Sequence, residues 1–219
     1  MSSLVLMRIL ESAPERYDGG MRLLTLGSWE RSLDALAEAA VPEPGVRLLE
    51  LGCGTGALTE RLIGRGGQVV AIDQSPEMLD RARQRLAGAP ADRLALEERT
   101  AAEVDGFEAA TFDAVAASYV LSEMSPSERR YVLRAAARAL RPGGRLALVD
   151  EATPRRHWQR WLHRGVRLPL ALLTWVVTGS TTRAIPDLAA EVREAGLSVQ
   201  VERRARLGTV ALVVAERPQ

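Results

Sequence analysis

Val46-Arg47-Leu48-Leu49-Glu50-Leu51-Gly52-Cys53-Gly54-Thr55-Gly56 is an apolar strand pattern that runs into three alternating glycines. Further on, Val69-Val70-Ala71-Ile72-Asp73 is a second apolar run, and it ends in an acid. A strand, a glycine-rich turn, a helical stretch from Ala57 to Arg65 and a strand with a terminal acid open a nucleoside-binding αβ unit. That pattern narrows function to ligands carrying a ribose. Gly52, Gly54 and Gly56 let the chain turn sharply and let a ligand approach the backbone without meeting a Cβ. The Asp73 carboxylate offers two acceptor oxygens to a vicinal diol; capping of the next helix is its structural alternative.

Outward from this unit, Arg93 to Glu97, Phe112 to Ser118 and Arg145 to Asp150 read as further short strands. The helical patterns Pro76 to Ala87 and Pro126 to Leu140 lie between them, and the alternation predicts a doubly wound α/β sheet. Ser75-Pro76-Glu77 and Ser125-Pro126-Ser127 each set a capping hydroxyl before a proline at the first helical position. Pro142-Gly143-Gly144 is expected to stop the second helix. Leu197 to Arg203 and Thr209 to Ala215, joined through Gly208, read as an antiparallel hairpin on the sheet edge. The 219 residues are read as one domain, 1–219, with an N-terminal helical cover over 1–40 and a lid segment over 152–184.

Composition excludes several classes. With 29 basic and 28 acidic residues the net charge is +1, which gives no concentrated basic face for nucleic acid. Cys53 is the single cysteine, so an internal disulfide framework and a paired-cysteine zinc site are both excluded. Arg8 and Glu11 interrupt the N-terminal apolar run, and a signal peptide is not expected; the reading is cytoplasmic. The longest apolar run, Leu168 to Val177, is too short to span a bilayer. Between His157 and Gly179 lie three of the four tryptophans and both histidines. Arg155, Arg156, Arg160, Arg164 and Arg167 form a basic face there, and Trp158, Trp161, Leu162 and Val166 an apolar one. Residues 155–179 therefore read as a lid helix, a peripheral membrane contact or a partner-protein site. No metal is expected, because the two histidines lack further ligands nearby.

Gly52-x-Gly54-x-Gly56 followed by Ala57 leaves both a dinucleotide and another ribose cofactor open on spacing alone. The larger pattern resembles the class I S-adenosylmethionine-dependent methyltransferases. Leu48 to Gly56 matches their first motif and Ala71-Ile72-Asp73-Gln74-Ser75-Pro76-Glu77-Met78-Leu79 their second. Phe112-Asp113-Ala114-Val115 matches their fourth strand, and Leu140-Arg141-Pro142-Gly143-Gly144-Arg145-Leu146 the approach to the fifth. The resemblance implies a Rossmann-like seven-stranded sheet of order 3-2-1-4-5-7-6 with the last strand antiparallel, and S-adenosylmethionine as cofactor.

By matching position, the resemblance places Glu50 and the backbone at Gly52 at the methionine end, in the loop Gly52, Cys53, Gly54, Gly56, and Asp73 at the ribose. Gln74 and Met78 border the adenine, Ala101 and Ala102 lie along its edge, and Ser118 lies beneath the sulfonium. Many members place an acid near Ala101; here the stretch is Arg99-Thr100-Ala101-Ala102-Glu103, leaving adenine to backbone groups or to Glu103 in a shifted register. Tyr17 on the N-terminal cover and Glu123 at the rim after the fourth strand are the candidate catalytic residues, Glu123 as a general base. For Tyr17 the alternative is packing of the cover; for Glu123 it is helix capping or a solvated carboxylate. Cys53 carries no expected reactivity.

Arg8 to Gly27, Ser122-Glu123-Met124-Ser125 and Leu168 to Ile185 resemble the corrinoid protein-associated methyltransferases. The Tyr17-Asp18 motif is distantly similar to quinone-biosynthesis C-methyltransferases. The expected activity is methyl transfer to a small, apolar acceptor. Methyl transfer in a corrinoid-linked or macrocycle pathway, a nicotinamide-dependent reductase and a non-catalytic cofactor-binding module for regulation or assembly are the alternatives.

Overall fold

Amphipathic spacing and capping chemistry account for the helices of this chain. In the computed structural model, residues 18–19, 28–154 and 184–219 are described. Helix α1 (Ser28–Ala40) buries Trp29, Leu33, Leu36, Ala37 and Ala40, one stripe along a helix. Strand β1 (Arg47–Leu51) leads through the glycine turn into α2 (Ala57–Gly64), then β2 (Gln68–Asp73) and α3 (Pro76–Arg85). The Ser75 hydroxyl accepts the Met78 N–H at 3.2 Å, with Pro76 at the first helical position. After β3 (Leu94–Glu98) a 3₁₀ turn covers Ala101–Gly106, then β4 (Phe112–Ser118) and a short 3₁₀ turn, Leu121–Glu123. Helix α4 (Pro126–Ala139) starts in a reciprocal Ser125/Glu128 capping box. Strand β5 (Leu140–Glu151), α5 (Leu188–Glu194), β6 (Ser198–Ala205) and β7 (Val210–Glu216) complete the described chain.

The seven strands form one sheet of order β3-β2-β1-β4-β5-β7-β6. β3, β2, β1, β4 and β5 pair in parallel, whereas β7 runs antiparallel to both β5 and β6. Central strands are buried on both faces: Leu48, Leu49, Glu50 and Leu51 all lack solvent contact. On one face Leu49, Leu51, Val115 and Leu148 pack with Val132, Leu133 and Ala136 of α4 and Leu188 and Val192 of α5. On the other, Leu48, Ala116 and Val149 pack with α1 and α2. Between the helices on the first face, buried Arg129 meets Glu191 at 2.5 Å and 2.8 Å.

Fold class and strand order agree with expectation; most element ends shift by one or two residues, the helix expected to reach Ala87 ending at Arg85, and the end of α4 needs correction. The helix expected to reach Leu140 ends at Ala139, and Pro142-Gly143-Gly144 lies inside β5, not at a helix stop. Tertiary pairing is the reason, because Leu140 pairs with Phe112 and the Ala139 carbonyl accepts the Thr111 N–H at 2.9 Å. The expected lid over 152–184 falls mostly outside the described residues. Its two ends meet, Ala152 bridging Ile185 in parallel. Among the described residues no helix is long and apolar enough to cross a membrane.

Candidate active site

The carboxyl ends of β1, β2 and β4 open onto a cleft of about 590 Å³. Gly52 carries a φ of +67°, and a Cβ there would stand 2.7 Å from a Val120 methyl, so only glycine allows this turn. Gly56 caps α2 in the left-handed region and packs against Ala82 and Leu86. Between them, the Gly54 N–H donates to Asp73 Oδ2 at 2.7 Å, and the Ser75 N–H donates to Oδ1 at 2.9 Å. Asp73 is thereby locked onto the glycine turn with one lone pair engaged on each oxygen; the others remain to accept further donors. Helix capping falls to Ser75 instead. Burial pushes the Asp73 carboxyl upward, while the amides of Ser75, Gly54 and Gln74 oppose that rise.

Beneath the turn, Glu50 is completely buried and neither carboxylate oxygen has a hydrogen-bond partner. Desolvation pushes its pKa to about 8, the nearby Thr59 hydroxyl opposing and the Asp73 charge adding. A buried unpaired carboxylate costs several kcal/mol when charged and therefore favours a cation beside it. Cys53 packs into the α1–α2 core, and burial together with the charges of Glu50 and Asp73 pushes its thiol up. Its thiol is thus held protonated and inert.

The opposite wall follows β4. Ser118 ends the strand, and Tyr119 adopts φ +58°, a strained conformation for a bulky residue. The Tyr119 ring is buried, its hydroxyl has no hydrogen-bond partner, and desolvation pushes its pKa to about 12. Buried Asp150, at the end of β5, accepts the N–H groups of Leu121 at 2.8 Å and Ser122 at 3.2 Å. It fixes the 3₁₀ turn that carries exposed Glu123 to the cleft mouth. Burial pushes the Asp150 carboxyl to about 6.

Asp18 ties the N-terminal region to this site. It accepts the Thr55 hydroxyl at 2.7 Å and pairs with Arg85, whose guanidinium also reaches the Thr55 carbonyl at 3.0 Å.

Of the expected residues, Gly52, Gly54, Asp73, Gln74, Met78, Ala101, Ser118 and Glu123 line this one cleft. Glu50, Cys53, Gly56 and Ala102 do not; the first three lie under or behind the turn. Tyr17 and residues 155–179 lie outside the described residues. Glu103 does not stand in for the adenine acid: its carboxylate folds back onto the Thr100 N–H at 2.7 Å and hydroxyl at 3.0 Å, closing a capping box. Helix capping by Glu123 is likewise replaced, by Ser125 and Glu128. Sequence reading missed Asp18, Tyr119 and Asp150. For Asp150 the acid closing an apolar strand was the available signal; the positive φ of Tyr119 had none.

Among the described residues, Asp73, Glu77, Glu123 and Glu128 border the cleft against one guanidinium, Arg99. Arg99 is already paired with Glu97 at 2.8 Å and stacked on Phe107. Such an acidic border repels a pyrophosphate and attracts a cationic ligand. These carboxylate acceptors therefore fit the sulfonium and ammonium of S-adenosylmethionine better than a dinucleotide.

Sheet order, glycine turn and strand-end acid together define a nucleoside-binding Rossmann-like enzyme. A methyltransferase-domain family matches residues 48–144. A demethylmenaquinone methyltransferase of Clavibacter sepedonicus is 30% identical over 217 residues, covering 93% of this chain and 86% of that one. Burkholderia thailandensis 1,6-didemethyltoxoflavin-N1-methyltransferase, solved with bound 1,6-didemethyltoxoflavin and S-adenosylhomocysteine, superposes with TM-score 0.67 at 21% identity, over 98% and 89% of the two chains. The [4+2]-cyclase SpnF superposes with TM-score 0.69 at 21% identity, over 86% and 81%. This chain belongs to the class I S-adenosylmethionine-dependent methyltransferases.

Proposed function

We propose that the chain methylates a small, largely apolar molecule in the cleft at the carboxyl edge of the sheet. The observation that carries this reading is the acid-bordered cleft with Asp73 anchored by two backbone amides and still able to accept from a diol. In this reading Asp73 takes the ribose hydroxyls, while Gln74, Met78 and Ala101 flank the adenine, held otherwise by backbone groups. Gly52 and Glu50 face the methionine end, and Ser118 underlies the sulfonium.

When bound, S-adenosylmethionine would supply an electrophilic methyl to a nucleophilic electron pair of the acceptor, with S-adenosylhomocysteine as the leaving group. The chain's own work is to orient the acceptor and exclude water. Glu123 at the mouth receives the proton when the acceptor loses one. Tyr17 is proposed to close over the site, a reading supported by the docking of adjacent Asp18 on the glycine turn. That docking, with the closed base of the 152–184 segment, also supports one domain with an N-terminal cover and a lid. The name of the Clavibacter relative favours an apolar, quinone-like acceptor. The corrinoid-linked reading rests on Arg8 to Gly27, Ser122-Glu123-Met124-Ser125 and Leu168 to Ile185; the first and last lie nearly all outside the described residues.

Calorimetry of S-adenosylhomocysteine beside NADH tests the cofactor. Selective binding lost in Asp73→Ala is expected; tighter binding of NADH would overturn the reading. For the acceptor, label from the methyl donor is expected in an extractable small product, and label found only in protein would refute it.

A further inference from the structure

A second cleft, of about 370 Å³, lies between the start of α1 and the β6–β7 hairpin. We propose that it is an acceptor subsite for a molecule with an anionic group on an apolar body. The inference rests on the methyltransferase reading and names the acceptor's chemistry.

Its floor is apolar because of strand register. Val149 on β5 pairs with Leu212 on β7, which pairs with Arg203 on β6, so the three form one row on the face that α1 covers. Val210 and Ala205 form the next row, beside Glu151. Arg31, Arg203, Arg204 and Arg206 line the cleft, and among the described residues no carboxylate does. Arg204 is committed, donating to Glu202 at 2.8 Å and to the Thr153 carbonyl at 2.8 Å. Among the described residues no carboxylate pairs with exposed Arg31 or Arg203. Arg31 and Arg203, without a carboxylate partner among the described residues and beside an apolar floor, match an amphipathic anion, and the volume suits one small ligand.

The position links this cleft to methyl transfer. Strands β5 and β6 end here and β7 begins here, at the edge that also carries the cofactor cleft. Tyr119 lines the cofactor cleft, and its N–H donates at 2.8 Å to the carbonyl of Val149, which lines the second one. Tyr119 packs in one cluster with Val149 and Val210 of the second cleft, so an acceptor held by the arginines would present its far end past Tyr119 to the methyl donor.

Decanoate and decanol are the probes, titrated into the full chain saturated with S-adenosylhomocysteine. Decanoate is expected to bind at least tenfold tighter than decanol, with affinity falling as salt rises. The double variant Arg31→Gln/Arg203→Gln should weaken decanoate tenfold or more at unchanged S-adenosylhomocysteine affinity. Ala35→Phe, which fills the cleft from α1, should exclude both probes. Equal affinities for the two probes, or a double variant that binds decanoate as the parent does, would overturn the subsite. So would capture by phosphatidylglycerol vesicles that decanoate fails to compete, which would assign the arginines to a membrane surface. Absence of decanoate binding by a chain that holds S-adenosylhomocysteine defeats the subsite alone; failure to hold S-adenosylhomocysteine defeats the methyltransferase reading beneath it.

Discussion

Glu50 and Asp73 stand close together but are solvated differently, and the difference makes separate predictions. Asp73 is held by backbone amides from both sides. Asp73→Ala removes the proposed ribose acceptor and orphans those amides, so S-adenosylhomocysteine affinity should fall more than tenfold, about 1.5–3 kcal/mol for hydrogen bonds to a charged group. Glu50 has its pKa raised from 4.5 to about 8 in the fold. The folded state therefore binds the extra proton between those values, and its stabilising share is complete below pH 4.5 and lost as pH rises toward 8. Thermal melts of the ligand-free protein should lose stability across that window, and Glu50→Gln should flatten the slope. Asp150, raised from 3.8 to about 6, adds to the acidic half of the same slope in both proteins. A ligand ammonium beside Glu50 favours its ionised form. Binding of S-adenosylhomocysteine at pH 7 should accordingly release a proton that Glu50→Gln does not release, read by calorimetry in buffers of different ionisation enthalpy.

At the scale of elements, α4 is tied to α5 and capped at its start by a few polar contacts whose removal should be costly. Arg129 on α4 is buried, and its guanidinium is matched by Glu191 on α5. Glu191→Leu leaves an uncompensated buried charge, and chemical denaturation should show a loss of about 3 kcal/mol, the size typical of breaking one partner of such a pair. The Ser125/Glu128 box caps the same helix at its exposed start. Ser125→Ala should cost about 1 kcal/mol. It should leave cofactor affinity intact, because Asp150 and not the cap fixes the turn bearing Glu123.

For the whole molecule, the fold alone does not decide the chemistry. The [4+2]-cyclase SpnF shares this sheet, so activity resides in the residues around the cleft. Binding confined to the native state raises stability by mass action. S-adenosylhomocysteine at about 100 times its dissociation constant should add about 2.7 kcal/mol. Differential scanning fluorimetry should show that upshift, with none from NADH at equal concentration and none in Asp73→Ala.

The sequence by itself determined the sheet, the glycine turn and the strand-end acid, because these follow from local requirements. Short continuous apolar runs and period-3.6 burial set the elements, positive φ demands glycine at Gly52, and a strand ending at Asp73 aims its carboxylate at that turn. Tertiary structure alone decided where α4 stops, since pairing of Leu140 with Phe112 outweighed the stop signal of Pro142-Gly143-Gly144. It also decided that Glu103 caps a turn, that Glu50 is sealed without a partner, and that Asp18 docks on Thr55 and Arg85. The same holds for the second cleft, whose arginines come from α1 and from the hairpin. Residues far apart along the chain meet only when the sheet closes, and no local pattern records which charges will then find counter-charges.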